Sequence, residues 1–345
     1  MLDAQTRQSI GTGTRSQYLP AWSNFQAWLS RYNIVNPYTE VDDQIIAFYM
    51  SYLLAVAENK GIGVQCIKNA RASIGYFFRL SGAEAPTSSP LIDILYRAAE
   101  RQLHPKKSTC VDIDAADLHN ILVYHLTNNC SLKTRMHLTV FLLMFVGLFR
   151  FDDMQHILVH EDLFRFIPIN NNSGVIDGML IFIPCSKTDQ TWTGAWVAIG
   201  ATGKRFCPVK LLRQLLFVGK YVQIHTSLDV GPLLRRVKTV YHGSSQSHVL
   251  YQITAPMSNP VPSISYQTFL SSIQDLAMAA IGKHIGLHAA RRGGASAAAE
   301  HGVDSALVCG LGRWKQGTTY ADYYVKMLSG NLQKYFAITR TIWPF

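Results

Sequence analysis

The chain has no stretch of eighteen apolar residues free of charge, and its first residues do not set a basic segment before an apolar one. Neither a membrane-spanning helix nor a secretory leader is expected, so the location to expect is intracellular, and nuclear in a eukaryotic host. Cysteine is sparse and unpatterned. Cys66, Cys110, Cys130, Cys185, Cys207 and Cys309 form no C-x-x-C pair, which argues against a zinc ribbon or a disulfide framework and for reduced thiols. No G-x-x-x-x-G-K and no H-E-x-x-H occurs, so a P-loop nucleotide cradle and a zincin-type metal site have no basis in the sequence. Internal repeats and long low-complexity tracts are missing too. Acidic residues are in deficit, 22 against 32 Lys and Arg, for a net charge of +10. Such an excess suits a polyanion, nucleic acid being the commonest, although a merely soluble basic protein carries a similar imbalance.

What is present reads mainly as helix, and 345 residues are enough for two domains with cores of their own. Residues 14–32 repeat Tyr18, Trp22, Phe25, Trp28 and Leu29 at helical spacing, and 41–58, 64–80 and 89–103 continue as helices. His104-Pro105-Lys106-Lys107-Ser108-Thr109 breaks the periodicity and marks a basic linker. Beyond it, 115–126 and 132–146 read as helices, the second almost wholly apolar and therefore central. Three short segments, 163–167, 179–184 and 192–199, read as a small antiparallel sheet. Helices resume at 208–222, 266–281, 288–301 and 305–311, and an amphipathic segment closes the chain at 331–342. The expected division is a helical domain over 1–104, a linker over 105–111, a larger mixed domain over 112–328 and a tail over 329–345.

The residues that carry chemistry are ordinary one by one. Arg150 is a helix-terminal arginine that can pair locally with Asp153. His288-Ala289-Ala290-Arg291 is an i, i+3 pair of the kind found on exposed helix faces. Lys187 sits in a turn, Ser186-Lys187-Thr188-Asp189-Gln190, and Trp314 in Gly312-Arg313-Trp314 also reads as a core tryptophan. Taken together they supply cations, a ring N–H and, at Tyr320, Tyr323 and Tyr324, phenols. Two guanidiniums bind phosphate oxygens with fixed charge, which is what transesterification at a phosphodiester demands when no metal takes part.

With Arg150, His288-x-x-Arg291 and the tyrosine cluster in that order, the chain resembles the tyrosine recombinase superfamily, the phage-integrase and Cre-like enzymes. Gly312-Arg313-Trp314 and the Ser186–Gln190 turn are closer to the recombinases of eukaryotic mobile elements, the DIRS-like and Crypton groups. The resemblance implies an N-terminal four-helix core-binding domain and a mixed α+β catalytic domain. It implies that Arg150 and Arg291 neutralise the phosphate, with Asp153 orienting Arg150. Lys187 becomes the general acid for the 5′ oxygen, His288 assists proton transfer, and Trp314 donates its ring N–H to the scissile phosphate. Tyr323, nine residues after Trp314, is the first candidate nucleophile, followed by Tyr324 and Tyr320. Arg313 stands in the usual histidine slot, where it either meets phosphate or points to solvent.

The activity implied is site-specific DNA recombination or integration through a 3′-phosphotyrosyl intermediate, as in transposons, with no metal, nucleotide or other cofactor. The partners implied are double-stranded DNA target sites and further copies of the chain, a dimer on one site and a tetramer in synapsis. The amphipathic tail over 329–345 is of a kind that either buries itself in its own domain or docks on a neighbouring protomer, and the resemblance implies the docking. Arg15, Lys68, Arg71, Arg79, Arg97 and Arg101, with Lys106 and Lys107 of the linker, are the candidates for contacting DNA. Two other readings stay open: a non-catalytic DNA-binding descendant of a recombinase, and a type IB topoisomerase.

Overall fold

The computed structural model describes residues 12–103, 110–127, 129–169, 174–186, 189, 193–221, 231–242, 245–250, 263–314 and 332–345. The chain divides into two compact units, Met1–Ser108 and Thr109–Phe345. It is mainly helical, with a small antiparallel sheet in the second unit. Among the described residues no helix is long and apolar enough to cross a membrane.

The first unit holds α1 (Thr12–Leu29), the single turn α2 (Pro37–Glu40), α3 (Asp43–Lys60), α4 (Gln65–Leu80) and α5 (Pro90–Gln102). Side-chain caps start these helices where the sequence supplies them. Asp42 accepts the Ile45 N–H at 2.9 Å to open α3, and Ser89 does the same for α5. Gly61, at φ 58°, closes α3 in the left-handed conformation that glycine adopts without steric cost. The core is aromatic: Trp22, Phe25, Trp28, Tyr49 and Phe78 are buried, and Trp22 stacks on Phe77 with ring centroids 4.8 Å apart.

The second unit is organised around α7 (Leu132–Val146), in which every residue from Met136 to Val146 is buried. Around it pack α6 (Ala115–His125), α9 (Pro208–Val218), α10 (Tyr266–Ile281) and α11 (His288–Glu300). The turn α8 (Phe151–Gln155) follows α7 directly, and α12 (Ser305–Gly312) follows α11. The sheet runs β1 (Phe164–Pro168), β2 (Ile176–Ile183), β3 (Ala195–Gly200), all antiparallel, with Phe166 opposite Met179 and Leu180 opposite Ala198. A separate hairpin, β4 (Val237–His242) and β5 (Ser245–Leu250), was not expected from the sequence.

Two glycines set how closely α11 approaches its neighbours. A Cβ at Gly293 would stand 2.1 Å from the Ile113 carbonyl oxygen, and one at Gly294 would stand 2.1 Å from that of Phe145. Only glycine permits this backbone contact, and it holds the start of α11 against the end of α7.

One boundary differs from the expected one. Residues 110–111 are not linker: Val111 bridges Ile285 and donates its N–H to the His284 carbonyl at 3.0 Å, so they are part of the second unit. In the single chain the tail packs within its own unit. Helix α13 (Leu332–Ile342) buries Tyr335, Phe336, Ile338 and Ile342 in its own unit, and Trp343 donates its ring N–H to the Phe206 carbonyl at 3.0 Å. Gly178 and Gly200 leave room for Phe336 on the sheet, Thr339 accepts the Gly200 N–H at 3.0 Å, and Arg340 binds Asp177. The apolar face that suggested docking is consumed inside the fold.

Candidate active site

Three segments of the second unit converge: the exit of α7 into α8, the first turn of α11, and the end of α12. The α7 exit turns on Leu148, a non-glycine residue at φ 51°, with the Phe149 N–H returning to the Met144 carbonyl at 3.1 Å. The end of α12 turns in the same way on Arg313, at φ 54°. Carbonyls at helix C-termini carry partial negative charge and have no partner within the helix. Arg291, 1% exposed, satisfies both ends at once: one terminal nitrogen donates to the Leu148 carbonyl and the other to the Gly312 carbonyl. The indole of Trp314 lies against the same guanidinium, 4.5 Å from centroid to Cζ, a cation–π contact. Arg291 and Trp314, paired by sequence analysis only through resemblance, are therefore in direct contact.

Arg150 stands just before α8 and is half-buried. Its Nη1 is buried and has no hydrogen-bond partner among the described residues. A buried cationic donor left this way costs free energy unless something anionic completes it. Asp153, the residue expected to orient Arg150, meets it at the backbone, where its Oδ2 accepts the Arg150 N–H at 2.7 Å. The ionic partner of that carboxylate is a residue the sequence did not pair with it. Arg313 Nη2 donates to the same Oδ2 at 2.5 Å, with the two side chains 2% and 0% exposed. Arg313 therefore does not point to solvent: it is an internal ion-pair partner. Spacing offered no signal for this contact, because 160 residues separate the two.

His288 is exposed at the first turn of α11. Its pKa is lowered from the ordinary imidazole value, first by partial desolvation and then by the positive charges of Arg291, Arg292 and Arg150, with only Asp112 opposing. That shift favours the neutral ring. The charges of Arg150 and Arg291 thus both act on His288.

Lys187 lies outside the described residues, but both sides of its turn are seen. Ser186 and Asp189 pair across it, and Asp189 accepts the Gly194 N–H at 2.7 Å. The neighbouring Cys185 thiol has its pKa raised by burial and then by the charges of Asp189 and Asp153. Tyr320, Tyr323 and Tyr324, and the linker residues Lys106 and Lys107, also lie outside the described residues.

In the first unit, Lys68, Arg79, Arg97 and Arg101 are exposed and Arg15 is partly so. Arg71 is the exception among the DNA-contact candidates. Its Nη2 binds Asp93 at 2.6 Å and its Nε the Thr87 carbonyl at 3.0 Å, so it ties α4 to α5 instead of offering its fork to phosphate. Among the described residues no group of three or more His, Cys, Asp or Glu is placed to hold a metal ion.

No family model matches the chain, and no curated protein matches it. Solved structures do. The XerH site-specific recombinase bound to a palindromic difH substrate superposes with a TM-score of 0.54 at 14% identity, over 94% of this chain and 81% of that one. The Tn1549 transposon integrase in complex with transposon right end DNA gives 0.48 at 11% identity, over 94% of each chain. The match to the Flp recombinase–Holliday junction complex gives 0.36 at 13% identity and spans 59% of this chain and 43% of that one. At identities this low a likeness speaks of architecture alone, and on the XerH superposition, across nearly the whole sequence, the chain has the fold of that site-specific recombinase.

Proposed function

We propose that the chain is a site-specific DNA recombinase of the mobile-element integrase or transposase type, cleaving and rejoining DNA through a 3′-phosphotyrosyl intermediate. One observation carries the reading: on a recombinase fold, the buried Arg150 Nη1 without a partner stands in the neighbourhood of Arg291, Trp314 and His288, whose neutral form is favoured. Such a donor is suited to a non-bridging phosphate oxygen, and a neutral imidazole beside it is suited to move a proton. In this reaction the phenol oxygen of Tyr323, or of Tyr324 or Tyr320, attacks phosphorus. The bond from phosphorus to the 5′ oxygen breaks, and Lys187 supplies the proton with which the 5′-hydroxyl leaves. His288 assists the transfer of the phenol proton, while Arg150, Arg291 and Trp314 hold the phosphate. A 5′-hydroxyl from another strand then reverses the step, so the energy of the broken bond is conserved.

Double-stranded DNA is the partner in this reading, with Lys68, Arg79, Arg97, Arg101, Arg15, Lys106 and Lys107 supporting the duplex mainly through phosphate contacts. Strand exchange needs several copies of the chain, a dimer on one site and a tetramer in synapsis. The DIRS-like or Crypton affinity rests on Gly312-Arg313-Trp314 and the Ser186–Gln190 turn, and in such a host the protein works in the nucleus.

The test is to incubate the protein, with a chelator present, with nicked duplexes from the sequences flanking its coding region, trap covalent adducts, and map the modified tyrosine by mass spectrometry. The expected adduct is at Tyr323 and disappears in Tyr323→Phe. No adduct on DNA that the protein demonstrably binds overturns the catalytic reading.

A further inference from the structure

We infer that Arg313 is a positioning residue, which locks the Arg150 segment and the Trp314 segment into one frame through Asp153 and makes no contact with DNA phosphate. The inference rests on the recombinase reading above and adds to it a residue whose role the motif did not supply. Arg313 is 2% exposed, and both terminal nitrogens of its guanidinium are engaged inside the fold, while Nε is buried without a partner among the described residues. Nη2 binds Asp153 Oδ2 at 2.5 Å, Nη1 donates to the Leu311 carbonyl at 3.2 Å, and the plane lies over the Phe149 ring, 5.3 Å from its centroid. A fork held this way does not reach a phosphate from outside.

Its anchor is also the anchor of the site. The single oxygen Asp153 Oδ2 accepts both the Arg150 N–H, at 2.7 Å, and the Arg313 guanidinium. On the other side, Arg313 occupies the left-handed turn that ends α12, between Gly312, whose carbonyl binds Arg291, and Trp314, whose ring lies against Arg291. A side chain with a Cβ is strained at φ 54°, and glycine would sit there at no cost. The position nevertheless holds an arginine, and the use the fold makes of it is this ion pair. Arg150, Arg291 and Trp314 are each one contact or one residue removed from the pair, so a shift of the pair moves all three together.

The test compares the wild type, Arg313→Lys, and the double variant Asp153→Leu/Arg313→Met on a nicked duplex, reading single-turnover adduct formation, DNA affinity against salt, and thermal unfolding. Replacing both members of a buried ion pair with apolar residues generally preserves folding, whereas removing one leaves a buried charge. The expected result is affinity within about twofold and an unchanged salt slope for both variants. Adduct formation falls about 10²-fold in the double variant, the size of loss that misplaced catalytic groups produce, and by a smaller factor in Arg313→Lys, whose point charge cannot reproduce the fork. An unchanged rate in the folded double variant would make the pair merely structural and overturn the inference. So would an affinity loss with the salt slope reduced by about one, which marks a lost phosphate contact. Should the double variant fail to fold, Arg313→Lys decides by the same two readouts. A wild type that binds DNA without forming an adduct removes the recombinase reading and this inference with it, whereas a normal wild type with unaffected variants removes this inference alone.

Discussion

Arg150 and Arg291 look equivalent in a motif and are opposites in the structure. Arg291 is bound to two helix ends and an indole, whereas Arg150 keeps a buried Nη1 without a partner among the described residues. Removing a group that satisfies two buried carbonyls costs stability, of order 1–3 kcal/mol for each one left unpaired. Arg291→Gln is therefore expected to lower the free energy of unfolding of the second unit by roughly 2–4 kcal/mol. Arg150→Gln should leave it within about 1 kcal/mol of wild type, because a cation held without a counter-charge adds little to stability. Both should abolish covalent adduct formation. Urea unfolding beside an adduct assay separates them, and equal stability losses in the two variants would refute the division of labour. The motif residues were legible in the sequence, but which of them is structural was not. That depends on carbonyls at 148 and 312, which every sequence possesses and only a particular turn exposes.

Elements in the second unit communicate through α7, and one contact there titrates. His137 on α7 is 1% exposed, its Nδ1 is 2.7 Å from Ser272 Oγ on α10, and its ring meets Phe269 edge-on at 5.2 Å. Burial, and secondarily the charge of Lys133, lowers its pKa from 6.5 to about 3. The folded state therefore refuses a proton that the unfolded state accepts between those two values. Stability is unaffected by this residue above pH 6.5, declines as pH falls below it, and stops declining near pH 3. The whole interval corresponds to roughly 4–5 kcal/mol at 1.36 kcal/mol per unit. Denaturant unfolding at pH 7, 5.5 and 4.5 should show that decline, and His137→Gln should flatten it. The same slope in both proteins would place the titrating group elsewhere. Sequence reading recognised α7 as central from its apolar run, and the structure adds that a histidine at its middle is held neutral between two helices. The closing helix shows the reverse case. Its amphipathic pattern was plain, but a pattern states only that a face will be buried, and the space left by Gly178 and Gly200 decides that the partner is the sheet of its own unit.

For the molecule as a whole, a net charge of +10 is a statement about partners, and the structure refines which charges are on offer. Lys68, Arg79, Arg97 and Arg101 are exposed, whereas Arg71 is bound to Asp93 and Thr87. Replacing any one of the four with Gln is expected to weaken binding to duplex DNA about equally for all sequences and to reduce the log–log salt slope by about one. Arg71→Gln should instead destabilise the first unit and leave the slope unchanged. Fluorescence anisotropy across a salt series checks this, and a reduced slope for Arg71→Gln would show that its fork is shared with phosphate.

The helices, the three-stranded sheet and the break near residue 105 could be read directly because each follows from local periodicity or from proline and lysine in a short run. The motif of Arg150, His288, Arg291 and Trp314 was equally readable as a set of residue types in order. The hairpin at 237–250, the residence of the tail and above all the Asp153–Arg313 pair could not be read this way. Each is a choice among partners equally compatible with the pattern, settled by which backbone lies within about 3 Å once the core around α7 has closed.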